Sequence, residues 1–300
     1  MKVFITGGLG FVGSSLSKRL AVEGHEVTVV DIAPRPPDNF NDRTRYVSAD
    51  TTVPGPWQKA AAEADLIINL AGASIFRRWN DDYKKLLRDS RILTTKNLVD
   101  AIEPDSTTAL ISTSAVGYYG FRQDEELDES GRPGDDFLAQ LCVDWEAAAL
   151  EARKKGSRVV LTRFGLVLGP GGGALGQMLP VFKSFIGGPI GSGGQWFSWI
   201  YVNDLLRAFE FVIHDSSIKG PVNFCAPVPV TNRDMARALG KVLKRPSFIK
   251  TPAFALKAVF GEFGSVLTEG QRVVPKKLMD RGFSFDYARI EEALRQVAAK

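Results

Sequence analysis

Short apolar runs and helix-period segments alternate along the first half of the chain. Val3, Phe4 and Ile5 make a run of strand length. Phe11, Val12, Leu16 and Leu20 then recur at helical spacing as far as Gly24, and Val27, Val29 and Val30 form a second run closing on Asp31. Further strands are predicted over 46–50, 65–70, 109–114 and 159–164. Helices are predicted over 57–64, 81–102 and 137–155. The long one is expected to turn Leu86, Leu87, Leu93 and Leu98 toward the core. Strands apolar on both faces, each followed by a helix, predict an α/β fold with a Rossmann-type, doubly wound parallel sheet. After about residue 165 the texture changes to loops rich in Gly, Pro and aromatics, such as GGPIGSGGQWFSWI. Helices over 202–215 and 233–243, a strand near 222–225 and two more helical stretches follow. The expected division is therefore 1–165 for the sheet domain and 166–300 mostly for a smaller carboxyl-terminal domain. Elements around 199–225 are expected to return to the first.

The turn between the first strand and helix carries Gly7, Gly8, Gly10 and Gly13. A Cβ at such positions blocks the tight turn and keeps the backbone from a pyrophosphate, whose charge the N–H groups at a helix start favour. The turn follows a strand, opens a helix and has an acid, Asp31, near the expected separation of about 20 residues. These features make Gly7, Gly10, Phe11, Val12 and Gly13 the candidate floor of a dinucleotide site.

Composition narrows the class. The chain has 300 residues, 44% hydrophobic and 24% charged, an ordinary globular balance, and its net charge of +4 is spread without a Lys/Arg block. A nucleic-acid arm is not expected. Lys276 and Lys277 read as an isolated, solvated pair, and the acidic run 124–129 as a solvated loop. Two cysteines, Cys142 and Cys225, and two histidines give neither a disulfide framework nor a metal set. No apolar run approaches membrane-spanning length. The first strand starts too early for a signal peptide, so a reduced, cytoplasmic protein acting on a small molecule is expected.

TGGLGFVG, DLIINLAG, STSAVGYYG, RFGLVLGPGGGAL and WIYVNDL resemble the extended short-chain dehydrogenase/reductase family, which includes sugar-nucleotide epimerases. RRWN, SRILTTKNL, LCVDWE and GGPIGSGGQWFSWI resemble its atypical YfcH-like ("39U") epimerase branch. The tail from Arg245 resembles that branch's own small carboxyl-terminal domain. The resemblance covers essentially the whole chain and implies NAD or NADP as cofactor. Ordinary members use a Tyr-x-x-x-Lys pair, the Tyr as acid/base and the Lys on the nicotinamide ribose. Aligning Glu146 with the acid that usually follows that Lys puts Leu138 at the Tyr position and Cys142 at the Lys position. Neither side chain can replace its counterpart.

Candidate residues follow, each with its plainer alternative. Asp31 would accept hydrogen bonds from the adenosine ribose and repel a 2′-phosphate, which favours NAD over NADP, although Arg35 is a base within reach. Asp50 and Thr51 would meet the adenine or else cap a strand. Leu70, Ala71 and Gly72 would line the cofactor through backbone groups, with Cys142 and Phe164 completing that wall. Ser114, at the end of the fifth strand, would contact a substrate oxygen or cap the strand. Tyr118 or Tyr119 would be a provisional acid or simply pack. Arg77, Arg78 and Trp79 suit an anionic, ring-bearing substrate or a salt-bridged helix start. Trp196 and Trp199 would wall a substrate pocket or pack the second domain. These readings point to an atypical oxidoreductase or epimerase acting on a small, anionic or nucleotide-linked substrate. The rival is a non-catalytic NAD(P)-binding protein that senses redox state or binds a partner.

Overall fold

The computed structural model describes residues 1–298. Seven parallel strands form its central sheet: β1 (Lys2–Thr6), β2 (Glu26–Asp31), β3 (Thr44–Ser48), β4 (Leu66–Asn69), β5 (Ala109–Ala115), β6 (Val159–Phe164) and β7 (Gly220–Phe224). Their spatial order is β7-β6-β5-β4-β1-β2-β3, so the order reverses beside β1. Ligands bind at such a switch point in open α/β sheets. The helices are α1 (Phe11–Val22), α2 (Trp57–Ala62), α3 (Asp81–Ala101), α4 (Phe137–Leu150), α5 (Gly173–Lys183) and α6 (Val202–His214). They continue as α7 (Asn232–Leu243), α8 (Ala253–Phe260), α9 (Glu262–Val266), α10 (Lys276–Asp280) and α11 (Ile290–Ala298).

Both faces of the sheet are covered, which is why its strands read as continuous apolar runs. On one face Leu16 and Leu20 of α1 and Leu205 and Phe209 of α6 pack on Val3, Ile5, Val29 and Val222. On the other, Trp57, Leu98 and Ala149 from α2, α3 and α4 pack on Phe4, Ile67, Leu110 and Leu161. Burying each of the larger side chains contributes about 1.5–3 kcal/mol. A third core joins α5, α7 and α11 through Leu175, Met235, Leu239 and Leu294. β7 and α6 belong to the sheet domain although they follow the loop-rich stretch. The two halves of the chain are therefore interleaved.

Some details depart from the sequence pattern. In α3 the buried stripe runs through Leu87, Thr94, Thr95 and Leu98. Leu86 and Leu93 lie round the helix from it and are 49% and 39% exposed. The expected helix over 137–155 divides into α4 and a 3-10 turn, Glu151–Lys155. The acidic run is not a free loop. Glu126–Leu127 pairs with Arg272–Val273 in a short parallel ladder, and Leu127 is buried. The Glu129 carboxylate accepts from the backbone N–H groups of Asn223 and Lys277. Lys277 is likewise not solvated, because its Nζ donates to Pro221 O at 2.6 Å and burial lowers its pKa. None of these contacts repeats along a strand or helix, so no periodic pattern announces them.

Candidate functional site

The glycine turn closes on the backbone that follows β4. Gly7 has φ +67°, and a Cβ there would fall 2.8 Å from Leu70 O. At Gly13 a Cβ would fall 2.4 Å from Gly7 O and 2.7 Å from Gly8 Cα, too close for any side chain. Helix α1 starts at Gly10 with no side-chain cap and no acid in its first turn. Its positive end is therefore left to whatever enters the space before it. The Asp31 carboxylate accepts from Leu9 N at 3.0 Å and Ile32 N at 2.8 Å, tying the turn to the end of β2.

This turn is one end of a cavity of about 520 Å³. Gly7, Gly10, Phe11, Val12 and Gly13 form that end, and Leu70, Ala71 and Gly72 continue it along the loop 70–76. Ser114 and Phe164 line it from the ends of β5 and β6, Leu138 and Cys142 from α4, and Trp196 from the carboxyl-terminal half. The remaining walls, including Phe197, Phe263, Val266 and Leu267, are mostly apolar. A concave, largely apolar space with a few polar groups is the usual form of a small-molecule site.

Several candidates lie elsewhere. The Arg77–Trp79 segment does not line the cavity. Arg78 Nη1 donates to Ala258 O at 3.0 Å, while Trp79 is buried against Phe137 and Phe263 and donates to Ile75 O at 3.0 Å. Arg77 is exposed. The segment fastens the start of α3 to α8 and α9. Trp199 is fully buried and donates to Val228 O at 3.0 Å, so it packs the core rather than a pocket. Asp50 accepts from Thr52 N at 2.9 Å, and Thr51 meets Thr94 Oγ1 at 2.8 Å, which ties this turn to α3 outside the cavity. Asp31 stands beside the cavity, not in its lining.

The tyrosines are corrected most sharply. Tyr119 is fully buried outside the cavity, and its hydroxyl donates to Asn223 Oδ1 at 2.7 Å while accepting from Arg163 Nη1 at 3.0 Å. Burial drives its pKa up despite the nearby Arg163, so it holds its proton and cannot reach a ligand in the cavity. Tyr118 also lies outside the cavity lining, with its ring against the Arg163 guanidinium at 3.4 Å.

Behind Ser114 runs a buried polar network that the sequence reading did not assemble. Ser114 Oγ donates to Glu146 Oε1 at 2.7 Å. Arg163 grips both oxygens of that carboxylate, from Nε and Nη2, each at 2.8 Å. Burial alone favours loss of the Arg163 charge, but the paired carboxylate raises its pKa and keeps it cationic. Cys142 faces the opposite situation. Burial and the Glu146 charge push its thiol up to about 11, so it stays neutral. The cavity's own cation is Arg91 on α3, a residue passed over inside SRILTTKNL. Its helical spacing from Leu87 and Leu98 was the one available signal. A charged residue on an otherwise buried stripe needs either a partner or a purpose.

Comparison with known proteins agrees with this architecture. A family model described as the NAD dependent epimerase/dehydratase family matches residues 3–224, and one described as a domain of unknown function (DUF1731) matches residues 251–297. Human epimerase family protein SDR39U1 is 36% identical over 310 residues, covering 100% of both chains. Epimerase family protein MT2273 of Mycobacterium tuberculosis is 42% identical over 294 residues, covering 97% of this chain and 96% of the relative. The crystal structure of human SDR39U1 (isoform 2) with NADPH superposes with a TM-score of 0.87, covering 100% and 99% of the two chains. UDP-glucuronic acid 4-epimerase from Bacillus cereus, in complex with UDP-glucuronic acid and NAD, superposes with a TM-score of 0.81 at 18% identity. That last likeness concerns fold alone.

Proposed function

The chain belongs to the NAD dependent epimerase/dehydratase family, and on that premise we propose that it is an atypical NAD(P)-dependent oxidoreductase or epimerase. Its substrate is small and either anionic or nucleotide-linked. One observation carries this reading: a single cavity joins the glycine turn to Ser114 and to the aromatic wall from the carboxyl-terminal half. A protein that only stored a dinucleotide would need the first end and not the rest. The residues present fit the cofactor. A Cβ at Gly7 or Gly13 would fill the cradle, the uncapped start of α1 suits a diphosphate, and a related human structure contains NADPH.

When bound, the nicotinamide supplies hydride transfer. The chain's own residues then have restricted parts. Leu138 offers no phenol, and the Cys142 thiol is neutral, so no Tyr–Lys couple moves a proton here. Ser114 gives its hydrogen to Glu146, which leaves its lone pairs free to accept from a substrate hydroxyl and orient it. Arg163 fixes Glu146, and thereby Ser114, in that arrangement. The apolar walls exclude water from the reacting face.

The test is turnover of NADH and NADPH on a panel of carbonyl compounds and sugar nucleotides, with Ser114→Ala as control. Turnover that falls about tenfold or more in the variant, roughly 1.4 kcal/mol of transition-state stabilisation, supports the reading. The apolar floor at Leu138 and Cys142 favours a second reading, in which the dinucleotide is a sensed ligand. Tight cofactor binding with no turnover across the panel selects that one.

A further inference from the structure

One face of the carboxyl-terminal half is apolar, basic and uncovered. Helix α8 reads AFALKAVF, with Lys257 its one polar side chain, yet none of its residues is buried. A helix apolar all round is ordinarily packed on every side. The segment after α5 and the segment before α8 lie together beside it. Ile249 N donates to Gly187 O at 3.3 Å, Thr251 N to Pro189 O at 3.0 Å and Gly191 N to Thr251 O at 2.9 Å. The Arg245 guanidinium covers the Phe185 ring, 4.4 Å from its centroid. This framework holds large apolar side chains outward. Phe248 and Phe254 are each 78% exposed, and Phe185 and Ile186 each 55%. None of the four lines the cavity.

The charge there is one-sided. Residues 235–261 contain Arg237, Lys241, Lys244, Arg245, Lys250 and Lys257 and no Asp or Glu, and residues 173–195 add Lys183, again with no acid. These lysines are exposed, and among the described residues none of them pairs with a carboxylate. Glu262, the next acid along the chain, is taken by Lys84. Like charge opposes covering this face with a second copy of the chain. Composition separates the remaining occupants. Protein interfaces are depleted in Lys, and their binding energy centres on Trp, Tyr and Arg. A lipid surface takes apolar side chains into the acyl boundary, while Lys stems carry their ammonium groups back to anionic headgroups. Protruding Phe among unpaired Lys matches the lipid. We propose that this face docks the protein on an anionic phospholipid surface, with Phe248 and Phe254 inserted and the lysines at the headgroups. The contact is peripheral, since among the described residues no helix is long and apolar enough to cross a membrane. It goes beyond the proposed chemistry and stands independently of it, because other residues line the cavity.

The experiment sediments the full chain with vesicles of phosphatidylcholine alone and of equal parts phosphatidylcholine and phosphatidylglycerol. Wild type should bind the anionic vesicles at least about tenfold more tightly than the neutral ones, and added salt should weaken that binding. Two double variants locate the contact: Phe248→Ser with Phe254→Ser, and Lys250→Glu with Lys257→Glu. Each should weaken binding to the anionic vesicles about tenfold or more. Lys18→Glu with Lys59→Glu makes the same charge change on exposed lysines of α1 and α2 and should leave binding within about twofold. Wild type that binds neither vesicle, or both equally, overturns the proposal. So does equal weakening in the control variant, which would reduce the effect to net charge. A dimer that sedimentation velocity detects in wild type and not in the Phe variant, without vesicle binding, gives the face to a second copy instead. Binding of a synthetic Leu/Glu helical peptide, lost in both face variants and again without vesicle binding, gives it to an acidic polypeptide. Either result overturns the lipid assignment. Should the Phe variant not fold, the Lys250→Glu, Lys257→Glu variant carries the test, because it alters only exposed ammonium groups, and unchanged vesicle binding in it overturns the proposal. Failure of the functional reading looks different: no dinucleotide binds, and the vesicle comparison still reports on this face.

Discussion

The glycine turn after β1 and the polar network behind β5 both stand at the carboxyl edge of the sheet, and they are assembled in opposite ways. The turn is made within one short stretch, Thr6–Gly13, and acts through backbone and the absence of side chains. The network draws Ser114 from a strand, Glu146 from a helix, Arg163 from another strand and Tyr119 from a 3-10 turn, and it reaches Asn223 on the outermost strand, β7. The first is a shape with room for a ligand. The second is a closed set of satisfied groups, and only Ser114 at its end touches the cavity. Substitutions should therefore damage the turn through ligand affinity and the network through stability.

The largest expected effect is in the network. Arg163→Met leaves the Glu146 carboxylate buried without its partner, which costs about 3–5 kcal/mol of folding stability. Urea denaturation measures this. A double variant with Glu146→Gln should recover part of the loss, and a double-variant loss equal to the sum of the two single-variant losses would show that the pair is not coupled.

In the turn, Gly13→Ala forces a Cβ onto Gly7 O and the Gly8 backbone. Dinucleotide affinity should fall at least tenfold, about 1.4 kcal/mol, with a smaller change in melting temperature. An unfolding midpoint that drops while affinity holds would reverse the contrast between the two regions.

A smaller effect concerns Asp31. A carboxylate about 4 Å from a 2′-phosphate charge meets roughly 4 kcal/mol of repulsion at an effective dielectric near 20. Its oxygens already accept from Leu9 N and Ile32 N, which softens that repulsion. NADH should bind about tenfold tighter than NADPH. Since the related human structure contains NADPH, fluorescence titration of both is decisive. Equal or reversed affinities would assign the 2′-phosphate to a base such as Arg35.

The smallest effect belongs to Cys142. Replacing it with alanine should leave NADH affinity within twofold, because the neutral thiol supplies no charge. Its folded pKa is raised, so the thiolate is scarce at pH 8 and grows as pH approaches about 11. Alkylation by iodoacetamide should accelerate over that interval. Fast labelling at pH 7 would mean that the thiol is activated, and would reopen its part in the chemistry.

Much of this protein was legible because its determinants are local. Strand, glycine turn, helix and Asp31 follow one another, and the constraint at each glycine comes from backbone only a few residues away or from the strand beside it. Apolar runs covered on both faces specified a parallel sheet, and the family motifs located Leu138 and Cys142, both of which the fold brings to the cavity. The side-chain candidates fared differently. Arg77 to Trp79 sit in a loop at the correct sheet edge, yet α8 and α9 pack on that loop and take Trp79 and Arg78 as structural contacts. Tyr119 follows Ser114 closely in sequence but turns away from the cavity into the buried network. Arg91 and Arg163 looked like ordinary charged residues on a helix and a strand. The sequence by itself determined the sheet, the cradle and the missing Tyr–Lys couple, since each depends on neighbours along the chain or on residue identity. Only the tertiary structure decided which side chains share the cavity, because a side chain's charge, proton and direction depend on groups that distant segments bring against it.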